Sequence, residues 1–370
     1  MDQVQKREVI FPFSMEVDPM ERLMLVNFEK DPDEHYVGFE PQVFKTESGE
    51  PGHLIIAWRK DKKIDVYHQK ILQPEPEKYR IAGAGLNEMI PVDMEEAFFE
   101  INQKGVQAHY RFRDKNQRDV EIKVRESNPA KRKPFGLLAP MGDAATDPPS
   151  LPLVLLHDFY FVRKARTDIQ VSIAGRIHKI DELPMRMDGR KMTFARYSPK
   201  PLIATINPAF SGKWESLRSE MGQPTFEKGD CIYEIDWTND VPAIQSMSLK
   251  NDIHLLSIRF SPSFPCLSAV PANTQLNGRF KISGHASVGS IEGEYTIQVD
   301  EDTHIRVTAV PSKGWKPKTT KFSTWFLFTF VRVFKKWPTT YRWDARLYKT
   351  DRGSWSMESS WKRTGRIMKA

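Results

Sequence analysis

The sequence predicts an all-β, mainly antiparallel protein made of two β-sandwich or barrel-like halves with one or two short helices. Three features carry that expectation. Apolar and polar residues alternate at period two in stretch after stretch, each beside turn residues. The chain holds 26 prolines and is 11% aromatic, a mixture that suits short strands and irregular loops better than long helices. Sustained helical periodicity is scarce.

In chain order, the first hairpin spans 54–68 and turns at Asp61, Lys62 and Lys63. Residues 97–125 read as a three-stranded meander. Phe99 and Ile101 precede a turn at Gln103, Lys104 and Gly105. Tyr110 and Phe112 share one face, as do Val120, Ile122 and Val124, while Arg111, Arg113, Glu121 and Lys123 point away. Such alternation implies sheet with one face buried and one in water. Prolines and basic residues crowd 128–152, the expected seam between a domain at 1–140 and one at 141–370; a seam at 199–225 is the alternative. Residues 153–162 are apolar on both faces except at His157 and Asp158, so a central or sandwiched strand is expected. The best helical pattern is 211–222, with Ser211 able to cap its start and Gly222 its end. Hairpins at 293–309 and 341–363 follow. In the last, Tyr341, Trp343, Ala345 and Leu347 share a face, and Trp355, Met357, Ser359 and Trp361 return on it.

The net charge is +7, yet residues 311–370 alone carry 15 Lys+Arg against 3 Asp+Glu, so the basic excess is wholly C-terminal. Six of the nine tryptophans lie there too. Alternation at Tyr341, Arg342 and Trp343 sends aromatics inward and cations into water. That segregation disfavours nucleic acid, which needs both groups on one surface. The aromatic segment 322–337 reads as a strand buried on both sides, and peripheral membrane contact is its alternative. No run of about 18 apolar residues is present, and residues 1–8 lack the basic and apolar regions of a secretory signal. With only Cys231 and Cys266 for thiols, the expected compartment is the cytoplasm.

Candidate chemistry is sparse. His157 and Asp158 are ionisable groups inside an apolar strand, where one of them could line a cavity as acid or base. Glu234 and Asp236 are two apart on a strand, about 6–7 Å by strand rise. Glu234-Ile235-Asp236 resembles the start of the motif in jelly-roll glucanases of the laminarinase type, over three residues. The resemblance implies glycoside hydrolysis by paired carboxylates. The second glutamate of that motif is missing, since Asn239 and Asp240 stand there. The histidines show no metal-ligand spacing, and the run from Asp31 to His35 lacks the glycine and distal glutamate of a calcium loop. Gly83-Ala84-Gly85 lacks the third glycine of a dinucleotide loop. Neither a metal nor a cofactor is expected.

The leading expectation is therefore a β cavity that binds a small hydrophobic molecule of isoprenoid, polyketide or acyl type. Tyr160, Tyr341, Trp343, Trp355 and Trp361 would wall it. Acid–base groups there could drive hydration, isomerisation or cyclisation as in a cofactor-independent lyase or isomerase. The architecture is similar to that of tandem lipocalin-like hydratases and cyclases, an analogy of fold alone. A carbohydrate-active jelly-roll hydrolase and a non-catalytic membrane-surface or interaction protein are the alternatives.

Overall fold

The computed structural model describes residues 6–18, 20–46, 48–130, 134–140, 148–187, 189–249, 255–284, 288–300, 304–318, 338–350 and 353–364. Strands make up 65% and helix 2%, so the all-β class holds. Among the described residues the helical elements are one turn at Pro76–Tyr79 and one 3₁₀ turn at Leu267–Ala269.

The first half is a two-layer sandwich. One layer is a meander of Met20–Asn27, Tyr36–Lys45, Pro51–Arg59 and Ile64–Gln69, with Leu86–Val92 added in parallel at the edge. Met192–Ser198 pairs with Met20–Asn27 on the other side, followed by Leu151–Arg163, Pro201–Ile206 and Met15–Asp18. The second layer has five strands, Glu96–Asn102, Gly105–Arg113, Asp119–Glu126, Thr167–Ile173 and Arg176–His178. Val26, Phe39, Ile55 and Tyr67 of the first layer meet Tyr110, Phe112, Ile122 and Val171 of the second in one buried core. The expected hairpin at 54–68 and meander at 97–125 are both present.

The second half is one antiparallel sheet of ten strands in which almost every strand pairs with its neighbour in sequence. It runs from Thr225–Lys228 to Trp355–Arg363, with Phe210–Trp214 closing the far edge. Hydrogen bonding thus runs across residue 140, because Leu151–Arg163 and Met192–Ser198 belong to the first half. The first strand of the second large sheet, Phe210–Trp214, falls inside 199–225.

The helix expected at 211–222 is replaced by two strands, Phe210–Trp214 and Leu217–Glu220. Leu217 and Ser219 are buried and Arg218 and Glu220 exposed, which is strand alternation. Lys6–Val9 pairs along Leu217–Glu220 and supplies the backbone partners that a helix would have found internally. Tertiary pairing overrides local helix preference here.

The inner face of the ten-stranded sheet is filled by the chain's own start. Phe11 meets Tyr233, Phe260 and Phe264 edge-on at 5.5–6.0 Å. Phe13 lies 5.1 Å from Trp343 and 5.1 Å from Phe260. Aromatic contacts of this kind add about 0.5–1.5 kcal/mol each beyond the area they bury. Gly278 and Gly293 make room for the rings. They pair across strands with Tyr295 and Phe280, and a Cβ on Gly293 would sit 2.1 Å from the Phe280 ring. Each bare backbone is thus covered by its neighbour's aromatic side chain.

Candidate functional site

One face of the first layer carries polar groups where apolar ones are expected. Phe161 pairs with Arg196, and Arg196 pairs with Leu25. The register from Leu23–Gln42 to Val26–Phe39 sets Leu25 opposite Glu40, which pairs with Ile56. Phe161, Arg196, Leu25, Glu40 and Ile56 thus form a line across five strands on one face. Phe194, Asn27, Gln42 and Trp58 flank that line, because alternate residues share a face.

Both ends of the line are apolar. Phe161 belongs to the large core that also holds the second sheet, and Phe194 packs against it. Ile56 belongs to a small core under Tyr79, Leu72 and Leu86. Between them Glu40 is only 7% exposed and Gln42 2%. Glu40 Oε1 accepts from Gln42 Nε2 at 2.8 Å, and Oε2 accepts from Trp58 Nε1 at 3.1 Å. Arg196 Nη1 donates to Asn27 Oδ1 at 2.9 Å, and its guanidinium lies 4.5 Å from the centre of the Phe194 ring. Asn27 Nδ2 in turn donates to Glu29 at 3.0 Å.

Burial decides the electrostatics. Loss of water pushes the Glu40 carboxyl above its ordinary range, against the pull of the Gln42 and Trp58 hydrogen bonds and the Arg196 charge. Loss of water also draws Arg196 down to about 10, although Glu40 and Glu29 oppose it. A carboxyl whose pKa is raised by burial therefore stands near a cation that stays charged at neutral pH. Both oxygens of Glu40 accept an N–H hydrogen bond, which favours the ionised form, so burial alone raises its pKa.

The sequence-predicted residues lie elsewhere. Leu151–Arg163 is sandwiched as expected: Phe159 and Phe161 enter one core, and Val162 and Tyr160 the other. Asp158 is half-buried on the Tyr160 side; only the backbone of His157 is described. Tyr160 stacks on Tyr197 at 5.4 Å inside the sandwich core. Tyr341, Trp343, Trp355 and Trp361 all point inward and are buried, while Arg342 and Arg346 face water. The space beside Trp343 is taken by Phe13, which makes this aromatic face packed core. Segment 322–337 lies outside the described residues.

Glu234 and Asp236 sit on the outer face of the second sheet, in a strand with a bulge after Glu234. Each has its own serine. Ser246 donates to Glu234 at 2.7 Å, and Ser263 donates to Asp236. They border an open cleft of about 610 Å³ whose lining includes Arg259, Ser263, Arg279, Lys281 and Glu292. Lys313 and Lys316 hold the Glu292 carboxyl down at about 2, which keeps it ionised. Asp31 and Asp33 are engaged by Arg176 and Arg118 rather than by one another. Cys231 and Cys266 are both free and buried.

A second buried polar cluster, around Asp65, is fully paired. Its carboxylate accepts from Tyr36 at 3.2 Å, Arg59 at 3.1 Å, Asn87 at 2.6 Å and Lys115 at 3.1 Å. Every partner is spent there, as in a structural network. The Glu40 group differs: among the described residues no cation pairs with its carboxyl, and burial raises its pKa. Sequence reading missed Glu40, Gln42 and Arg196 because each alternates with apolar neighbours, the pattern of a solvated strand face. No protein-family model matches the chain, and comparisons with curated proteins and solved structures return no match. No helix among the described residues is long and apolar enough to cross a membrane.

Proposed function

We propose that the chain binds a small hydrophobic molecule of isoprenoid, polyketide or acyl type against the Glu40–Arg196 face and converts it by cofactor-free acid–base chemistry. The two halves would then act as a tandem lipocalin-like pair. One observation carries this reading: a buried carboxyl whose pKa burial raises, one strand away from a guanidinium, between two apolar clusters on one sheet face. Perturbed ionisable groups cluster at functional sites, which makes this group a candidate for one.

Glu40 is the proton donor. It would deliver its proton to a carbonyl oxygen or an alkene carbon and regain one from a neighbouring carbon, which isomerises or closes the substrate without an oxidant. Arg196 would stabilise negative charge that develops on an oxygen. Phe161, Phe194 and Trp58 would hold the apolar body.

Native mass spectrometry tests this. The purified chain is incubated with an organic extract of apolar metabolites, beside an Arg196→Met variant of unchanged circular dichroism. A retained mass in the native chain that the variant loses is the expected result. Equal retention by both would show that this face binds nothing.

A further inference from the structure

We propose that two adjoining clefts beside Asn128, Ala165 and Arg190 form one binding site for a compact multivalent phosphate, of about the size of a diphosphate. The clefts measure about 380 and 450 Å³ and share these three residues. Six cations line them: Arg163, Lys164, Arg166, Arg186, Arg190 and Lys191. The described lining contains no carboxylate.

Among the described residues two carboxylates stand next to the lining, and each is already engaged. Glu182 pairs with Lys164, and Glu126 accepts the backbone N–H of Arg163 at 3.3 Å. Arg166, Arg186, Arg190 and Lys191 are exposed and carry no ion pair among the described residues. A concave wall of one charge sign focuses its field on whatever enters. Planar guanidinium groups match phosphate oxygens in pairs, and three of the four unpaired cations are arginines.

The cations are held on a framework and do not hang from free loops. Arg163 is 6% exposed, and its Nη1 donates to the carbonyl of Ala130 at 2.8 Å. Asn128, also 6% exposed, donates to the carbonyl of Ala165 at 3.3 Å and accepts from the N–H of Ala130 at 3.2 Å. Ser127 N–H donates to Arg166 at 2.9 Å, and Lys164 N–H donates to Lys191 at 3.1 Å. Met187 and Arg190 exchange backbone hydrogen bonds at 2.9 and 3.0 Å, which closes the third loop. Three turns distant in sequence are thus tied together through their backbones, which gathers their cations at one place. Preorganisation of this kind lowers the entropy lost when an anion binds.

The test is calorimetric titration of the full chain with inorganic pyrophosphate, matched in ionic strength against sodium chloride. An Arg186→Ala/Arg190→Ala double variant is titrated alongside. Both side chains are exposed, so the fold should survive, and circular dichroism checks that it does. Saturable binding weakened at least tenfold in the variant is the expected result. A second arm uses phosphatidylcholine vesicles with and without a phosphoinositide. Vesicle binding that pyrophosphate displaces would assign the phosphate to a lipid headgroup; pyrophosphate binding alone would assign it to a soluble ligand. The proposal fails if pyrophosphate does no more than chloride, if native chain and variant bind it equally, or if vesicles bind and pyrophosphate cannot displace them. Neither Arg186 nor Arg190 belongs to the Glu40–Arg196 face, so this failure would leave that reading untouched.

Discussion

Glu40 and Arg196 stand in one line across a sheet face with a single strand between them, yet no ion pair joins them. Glu40 spends its hydrogen bonds on Gln42 and Trp58, and Arg196 spends one on Asn27. A buried carboxyl left unpaired beside a half-buried guanidinium in this way costs stability that an apolar pair would not.

That cost should be visible as a pH dependence. The folded carboxyl of Glu40 titrates above its unfolded value, so the folded state holds the proton more tightly. Stability from this group is intact below the ordinary glutamate range and falls as pH rises through the folded pKa. Replacing Glu40 with glutamine removes the titration. Denaturant unfolding from pH 4 to 9 should show the variant gaining on the native chain as pH rises. Each pH unit of displacement is worth about 1.4 kcal/mol. A difference constant with pH would mean that the carboxyl is ordinary.

His53 should act in the opposite direction. It is 5% exposed, and its Nδ1 lies 3.0 Å from the Tyr110 hydroxyl between the two sandwich layers. Burial holds its pKa down at about 4, with the Arg22 charge adding to the effect. The unfolded chain then takes up the proton first as pH falls from about 6.5 to 4. Stability is lost across that window, by about 3 kcal/mol in all. His53→Gln should flatten the profile there, as measured by urea midpoints at pH 4, 5, 6 and 7.

Trp343 and Trp361 face each other across the last hairpin but differ in their indole N–H groups. That of Trp361 donates to Ile206 at 3.2 Å and Asn207 at 2.8 Å. That of Trp343 is buried with no partner among the described residues. Phenylalanine at either position removes similar volume. Only Trp361→Phe also strands two carbonyls, so it should cost about 1–3 kcal/mol more than Trp343→Phe. Thermal unfolding of the two variants under one buffer decides this.

Gly293 lies beneath the ring of Phe280, and its missing Cβ leaves the space that the ring occupies. Gly293→Ala should destabilise the second half by about 1–3 kcal/mol through overpacking. Phe280→Leu in the same chain should recover part of that loss. A double-mutant cycle with coupling near zero would show that the ring moves aside freely.

Much of the strand pattern was legible locally. Tyr341, Trp343, Ala345 and Leu347 do face inward, opposed to Arg342 and Arg346, because period-two alternation is a property of consecutive residues. The same reasoning could not find Glu40 and Gln42. A polar residue on alternate positions looks the same whether water or protein covers it. Nor could it find the role of Phe11 and Phe13, since an aromatic pair near a terminus has no period to betray its destination.

By itself, then, the sequence determined the class, the hairpins at 54–68, 97–125 and 341–363, and the inward turn of the C-terminal aromatics. All of these rest on contacts between residues near one another in the chain. Tertiary structure decided what those aromatics pack against, that 211–222 forms strands, and that Phe161, Arg196, Leu25, Glu40 and Ile56 fall in line. Those outcomes depend on which strands pair over long separations. Pairing partners are chosen by the summed burial of whole faces, and no short window of sequence contains that sum.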